Sequence, residues 1–307
     1  MKRLTNLNLD FMGQRKIAFA ISAILILVSL VSLVVQGLAL GLDFTGGTLV
    51  EVRYATAPAL DSVRGALEGA GFNDISVQTF GAANEVLIRL QQTFEANVGD
   101  QVVGLLAQGG AQVDLVRAEF VGAQVGGQLR DQSGLGMLVA LGVVMLYVAF
   151  RFQYKFAIGA LLALVHDVII VVGAFSLFQM EFDLTVLAAV LAVIGYSLND
   201  TIVVYDRIRE NIRKSRIDDM PAIFNEAINQ TLSRTLATSG TTLLVLLALA
   251  WLGGDMIHNF SVALLIGIGV GTFSSIYVAA ALLIKLKLQR RDLIPEKKED
   301  AEEEQLP

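Results

Sequence analysis

Six apolar runs constrain this chain more than anything else in it: residues 17–40, 134–150, 156–178, 184–205, 236–252 and 260–284. A helix needs about 20 residues to cross ~30 Å of hydrocarbon, and each run is near that length. Inside lipid, every backbone N–H and C=O has to be satisfied within the segment, which makes such runs helices. The two 17-residue runs are short, so their helices extend into polar flanks, to about 134–152 and 234–252. With 54% of its 307 residues hydrophobic, the chain reads as a polytopic α-helical membrane protein, not a soluble domain.

Lysine and arginine collect on alternate loops. Lys2, Arg3, Arg15 and Lys16 precede the first run, and Arg151 and Lys155 separate the second from the third. Arg207, Arg209, Arg213, Lys214, Arg216 and Arg234 lie between the fourth and fifth, and Lys285, Lys287, Arg290 and Arg291 follow the sixth. The short loops 179–183 and 253–259 have none. The positive-inside rule then puts both termini in the cytoplasm and the first loop outside. The first run exceeds the ~7–15-residue core of a cleaved signal peptide and reads as an uncleaved anchor. The expected organisation is a cytoplasmic segment 1–16, a first span 17–40, an external domain with a hinge 41–131, a five-span bundle 132–286 and a cytoplasmic tail 287–307. The tail carries Glu299, Asp300, Glu302, Glu303 and Glu304, a solvated acidic run.

The external loop is long enough to fold. Residues 47–54 alternate (Val50, Val52 and Tyr54 against Glu51 and Arg53) and predict a strand. Residues 59–70 predict a helix, 75–80 and 85–91 two strands joined by Gly-Ala-Ala-Asn, 98–107 a second helix, and 113–121 a last strand. The order βαββαβ is that of a small α+β ferredoxin-like domain. Its charge is negative, five arginines against eleven acids, which argues against a nucleic-acid partner. Cysteine is absent and His166 and His258 are the only histidines, so no metal or other cofactor is expected.

Two carboxylates break the apolar pattern. Asp200 lies in the fourth run, where an ionisable group costs about 2.5–3.5 kcal/mol on insertion scales and tends to be functional. Tyr196, Ser197, Asn199 and Thr201 surround it with polar groups. Asp167 lies in the third run beside His166. Arg234 opens the fifth at a depth similar to that of Asp200, and Thr231, Thr235, Thr238 and Thr242 follow with 4-3-4 spacing on one face. For Arg234 alone, a snorkelling arginine is the more ordinary reading; for the threonines, helix packing is the commoner use. Gly267 and Gly271 form a GxxxG, extended by Ser275, which predicts close packing against a helix of this chain or a partner. Paired membrane acids raise an intramembrane aspartyl protease. Here, however, the dipeptides are His166-Asp167 and Asn199-Asp200, the acids are offset in depth, and no enzyme is expected.

Four blocks carry a family resemblance. They are 41–47 (Gly-Leu-Asp-Phe-Thr-Gly-Gly, with Asp43, Phe44, Gly46 and Gly47), 121–126, 195–211 around Asn199-Asp200, and 233–242 (Ser-Arg-Thr-Leu-Ala-Thr-Ser-Gly-Thr-Thr). Together they resemble the SecF members of the SecD/SecF protein-export family, within the resistance-nodulation-division superfamily, from about Leu7 to Leu286. Ala123 stands where that family usually has proline, and Tyr205 where a small residue is common. The resemblance implies a subunit that works with SecD and the SecYEG channel in the bacterial inner membrane. Such a subunit uses the proton motive force to draw a translocating preprotein outward. It implies Asp200 and Arg234 as the essential acid and arginine, and places His166 and Asp167 in a further motif. The expected proton-coupling set is Asp200, Arg234, Asp167 and His166, with a relay from His166 and Asp167 to Asp200 set against a packing role for Asp167, and with Asn199, Tyr196 and Thr238 as polar support. Two alternatives stay open: a passive scaffold subunit, and a self-sufficient proton-driven small-molecule exporter. Sodium in place of the proton is also open, since Asn199, Asp200 and the threonines offer oxygen ligands.

Overall fold

The structure is a computed structural model and describes residues 9–72, 75–90, 97–108, 110–215 and 219–293. The acidic run of the tail lies outside the described residues. Among the described residues, six helices are long and apolar enough to cross a membrane. They are α1 (Arg15–Val35), α5 (Ala123–Arg151), α6 (Tyr154–Leu177), α7 (Leu184–Lys214), α8 (Met220–Leu252), and a sixth that begins as α9 (Asp255–Phe273), passes through a π-helical stretch (Ser274–Ala279) and ends as α10 (Ala280–Lys285). Between α1 and α5 come a one-turn helix α2 (Leu42–Thr45), β1 (Gly47–Tyr54), α3 (Leu60–Gly69), β2 (Ser76–Phe80), β3 (Ala82–Leu90), α4 (Val98–Ala107) and β4 (Val113–Val121).

The four strands form one antiparallel sheet in the order β2-β3-β1-β4, the split βαβ arrangement. Val50, Val52, Val86 and Ile88 of the sheet pack on Val63 and Leu67 of α3 and Val102 and Leu106 of α4. The expected alternation of β1 is incomplete. Glu51 is buried and accepts from Arg117 Nε at 3.1 Å, because the second sheet face is partly covered around Leu42, Leu49 and Leu87. The expected Gly-Ala-Ala-Asn connection shrinks to Gly81, whose φ of +70° suits glycine, and β3 already begins at Ala82.

Two further segments resolve as helix. The glycine- and glutamine-rich segment before the second span, which reads in the sequence as either a hinge or an entry into that span, is the entry: it forms the first turns of α5. Glycine weakens a helix without ending it, and Gly126 lets α5 approach α2 closely: a Cβ there would stand 2.8 Å from Gly46 N. The polar stretch after Asp200 is also helical, as the end of α7 and the start of α8, with Pro221 in the first turn of α8, where its missing N–H is harmless.

The bundle has two cores. One gathers Phe156, Tyr205, Ile208, Phe224 and Leu283 near the lysine- and arginine-rich ends, and the other Val171, Phe175, Val190 and Ala263 near the external domain. Most side chains of α5 are exposed.

Candidate functional site

Asp200 sits on α7 at 3% exposure, and its Oδ2 accepts from Ser239 Oγ of α8 at 3.3 Å. Ser239 Oγ in turn accepts from Thr272 Oγ1 of α9 at 2.8 Å. Two hydroxyls therefore tie the carboxyl to two other spans, α8 and α9. Arg234 stands five residues before Ser239 on α8 and is exposed, though near enough for its charge to act on Asp200. Among the described residues it makes no ion pair within 4.0 Å. A hydroxyl thus occupies the carboxyl in this arrangement, and the arginine stands off.

The threonine pattern resolves into two faces. Thr231, Thr235 and Ser239, four apart, are buried toward α7 and α9. Thr235 Oγ1 has no partner among the described residues, which leaves a donor one turn from Ser239. Thr238 is exposed and bonds back to Arg234 O at 3.1 Å, and Thr242 to Thr238 O at 2.9 Å. Helical threonines satisfied this way spend their one donor on their own backbone and keep only acceptor capacity. Tyr196 reaches Thr242 (3.3 Å), bridging α7 and α8, while Asn199 is exposed and turned away from Asp200. Ser239 and Thr272 were missed by sequence reasoning. The available signal was the second four-residue spacing, 231-235-239, which passes through a serine.

Asp167 is a separate centre. It is wholly buried on α6 and takes three partners: His166 Nδ1 (2.8 Å), Ser197 Oγ of α7 (2.5 Å) and Ser274 Oγ in the sixth span (2.8 Å). His166 is also buried, and its Nε2 has no partner among the described residues. Ser197 lies three residues, roughly 4.5 Å of helix rise, from Asp200. The Asp167 carboxyl, on α6, thus meets α7 about one turn from Asp200, and each acid has its own hydroxyl donors.

The glycines fix the packing. A Cβ at Gly267 would overlap the side chain of Val193, and one at Gly271 would stand 3.0 Å from Ser197 Cβ. The GxxxG face therefore meets α7 of the same chain, not a partner.

The Asp-Phe-Thr-Gly-Gly segment ties the external domain to this site. Asp43 Oδ2 accepts from Leu184 N at 3.0 Å, at the start of α7, beside the N-cap Asp183, whose Oδ1 accepts from Val186 N at 2.8 Å. Phe44 stacks on Phe182 with ring centres 6.2 Å apart. Gly46 and Gly47, at φ +70° and +119°, turn the chain into β1. Gly41 N donates to Phe182 O and Phe182 N to Ala39 O, both at 2.8 Å, and Arg89 Nη2 of β3 reaches Glu181 at 2.6 Å. Burial pushes the Glu181 carboxyl above its ordinary range; Asp183 and Asp43 add to this, and Arg89 opposes it. Replacing Asp43 by Ala removes an acceptor from the start of α7 and is expected to cost about 0.5–2 kcal/mol. Hydrogen exchange checks it: the amides at 184–187 should exchange faster while those at 193–200 hold.

Comparison with known proteins places this geometry. The family model "Protein export membrane protein SecD/SecF, C-terminal" matches residues 101–289, and "SecD/SecF GG Motif" matches 31–58. A protein translocase subunit SecF from Pseudomonas aeruginosa is 53% identical over 294 residues, 95% of this chain and 96% of that one. The SecF of Vibrio alginolyticus is 50% identical, covering 97% of both chains, and that of Escherichia coli O157:H7 is 44% identical over 94% and 91%. The crystal structure of SecDF, a translocon-associated membrane protein from Thermus thermophilus, matches 92% of this chain with TM-score 0.85 at 37% identity. A SecDF in a super-membrane-facing form matches 91% at 38% identity, but with TM-score 0.68. The chain spans 39% of each of those SecDF chains. Its six apolar helices and its relatives make it a multi-pass inner-membrane protein whose SecD partnership the SecDF match supports. From the motif after α1 to the end of the sixth span, the chain belongs to the SecF family of protein translocase subunits.

Proposed function

We propose that this chain uses the proton gradient, together with SecD, to promote movement of a preprotein out of the SecYEG channel, and that Asp200 is the proton-bearing group. The observation that carries this is the position of Asp200: a buried carboxyl tied by hydroxyls to α8 and α9, on a helix whose other end is held by Asp43. A buried carboxyl with one hydroxyl partner is cheaper to keep as a neutral acid than as an anion. As a buried anion it needs a cation and further donors. Arg234 and the unpartnered Thr235 hydroxyl stand on the adjacent helix to supply both.

Each proton gained or lost then changes which face of α8 meets α7. A displaced α7 pulls on Asp43, and with it on the external domain. The likeness to two SecDF structures at nearly equal identity but TM-scores of 0.85 and 0.68 supports a segment with more than one arrangement. Asp167 serves as an acceptor joining α6, α7 and the sixth span, with His166 fixing one of its oxygens. Arg234, Thr238 and Thr241 form a polar exposed face on a span, which is costly in lipid and suits coverage by SecD. The termini are cytoplasmic and the domain between α1 and α5 is periplasmic, in keeping with the placement of lysine and arginine.

The test is export of a reporter preprotein at fixed ATP, with and without a protonophore, in cells holding the chain and in cells depleted of it. The expected result is that the protonophore slows export strongly only where the chain is present. Equal slowing in both would instead favour a passive scaffold.

A further inference from the structure

The sixth span is not a single α-helix. Ser274–Ala279 is π-helical, a turn that pairs residues five apart, is rare, and tends to sit at functional positions. Four residues of α7, each a turn after the last, meet the sixth span in parallel register. Val193 faces Gly267 and Ser197 faces Gly271, in close contact. Thr201 Oγ1 lies 2.8 Å from Ser275 Oγ, and Tyr205 Oη donates to Ala279 O at 3.1 Å. The first two rungs are close packing. The last two are hydrogen bonds, and both fall on the π stretch.

Tyr205 is built into its place. It is wholly buried, with its ring edge-on to Phe156 at 5.1 Å. Its hydroxyl passes over Gly159, where a Cβ would stand 2.5 Å from Oη. A buried phenol has to find a hydrogen-bond partner, and this one finds the main-chain carbonyl at the end of the π stretch.

We propose that Tyr205 is a positioning residue that holds the sixth span in its π register, so that a shift of α7 is passed to α10; this rests on the Asp200 reading above for the source of the shift. Relaxing the π stretch to α removes one residue from the turn and rotates everything after it by about 100°. Leu283, fully buried in α10, would then turn out of the core.

The chain has no cysteine, so a single introduced thiol reports alone. Leu283→Cys is labelled in membranes with a water-soluble maleimide, in chains with Tyr205, with Tyr205→Phe, or with Gly159→Ala. Phenylalanine keeps the ring and removes only the donor; alanine at 159 displaces the hydroxyl without touching the tyrosine. The expected result is labelling several-fold faster in both variants at unchanged abundance, with Lys214→Cys labelled as before, and chain-dependent export reduced. Unchanged labelling in both variants would overturn the register role. Faster labelling with undiminished export would overturn the transmitting role. Labelling is read without export, so normal export by an Asp200 variant removes the proposed source of the shift and leaves the register result standing.

Discussion

Asp200→Asn is expected to reduce proton-dependent export to the level of cells lacking the chain. Asparagine matches aspartate in size and keeps an oxygen to accept from Ser239 Oγ, so the tie to α8 and the chain's abundance should survive. What it cannot do is ionise, and the proposed cycle needs both states. A step that depends on the anion should slow by about tenfold or more, corresponding to ~1.4 kcal/mol or more in its barrier. Asp200→Glu retains the titrating group on a longer arm and should keep part of the activity. Pulse-chase of a reporter precursor, with membrane levels of the chain and SecD followed in parallel, decides the matter. Export at the normal rate with Asn would mean that Asp200 serves packing and that protons pass elsewhere.

Gly267→Leu is expected to have the largest effect on folding. Even a Cβ at 267 overlaps Val193, and a full leucine forces α9 away from α7 along the line that also holds Gly271, Thr201 and Tyr205. Overpacking of a tight contact costs about 1–3 kcal/mol and sometimes more, and here the upper end is expected because the contact is backbone against side chain. Gly269 supplies the control, since nothing lies within 4 Å of a Cβ placed there; Gly269→Leu should be tolerated. Detergent unfolding of the purified chain checks both. Val193→Ala should partly restore Gly267→Leu, because it empties the space the leucine needs. A Gly267→Leu chain as stable as the parent would show that the two helices do not pack closely in the membrane.

Much of the molecule was legible in the linear chain. The six spans follow from runs long enough to cross hydrocarbon. The external domain follows from alternation and turn residues, with β1 at 47–54 and α4 at 98–107 falling where the pattern put them. Close packing at Gly267 and Gly271 was readable from their spacing; which helix they meet was not. The threonine stripe misled, because counting hydroxyls says nothing about which face is buried, and Thr238 turns outward while Ser239 turns in.

What the sequence determined by itself is what depends on local free energies: burial of apolar runs in lipid, strand alternation, and the cost that marks Asp167 and Asp200 as unusual. Tertiary structure alone decided the partners. Asp200 meets Ser239, 39 residues away, and Asp43 meets the start of α7 across 141. Tyr205 finds a carbonyl 74 residues on, in a π turn that nothing in the local sequence marks. These pairings depend on how each helix is rotated and how far it slides along its neighbour. Both are set by close contacts summed over the whole bundle, so no single segment of the chain contains them.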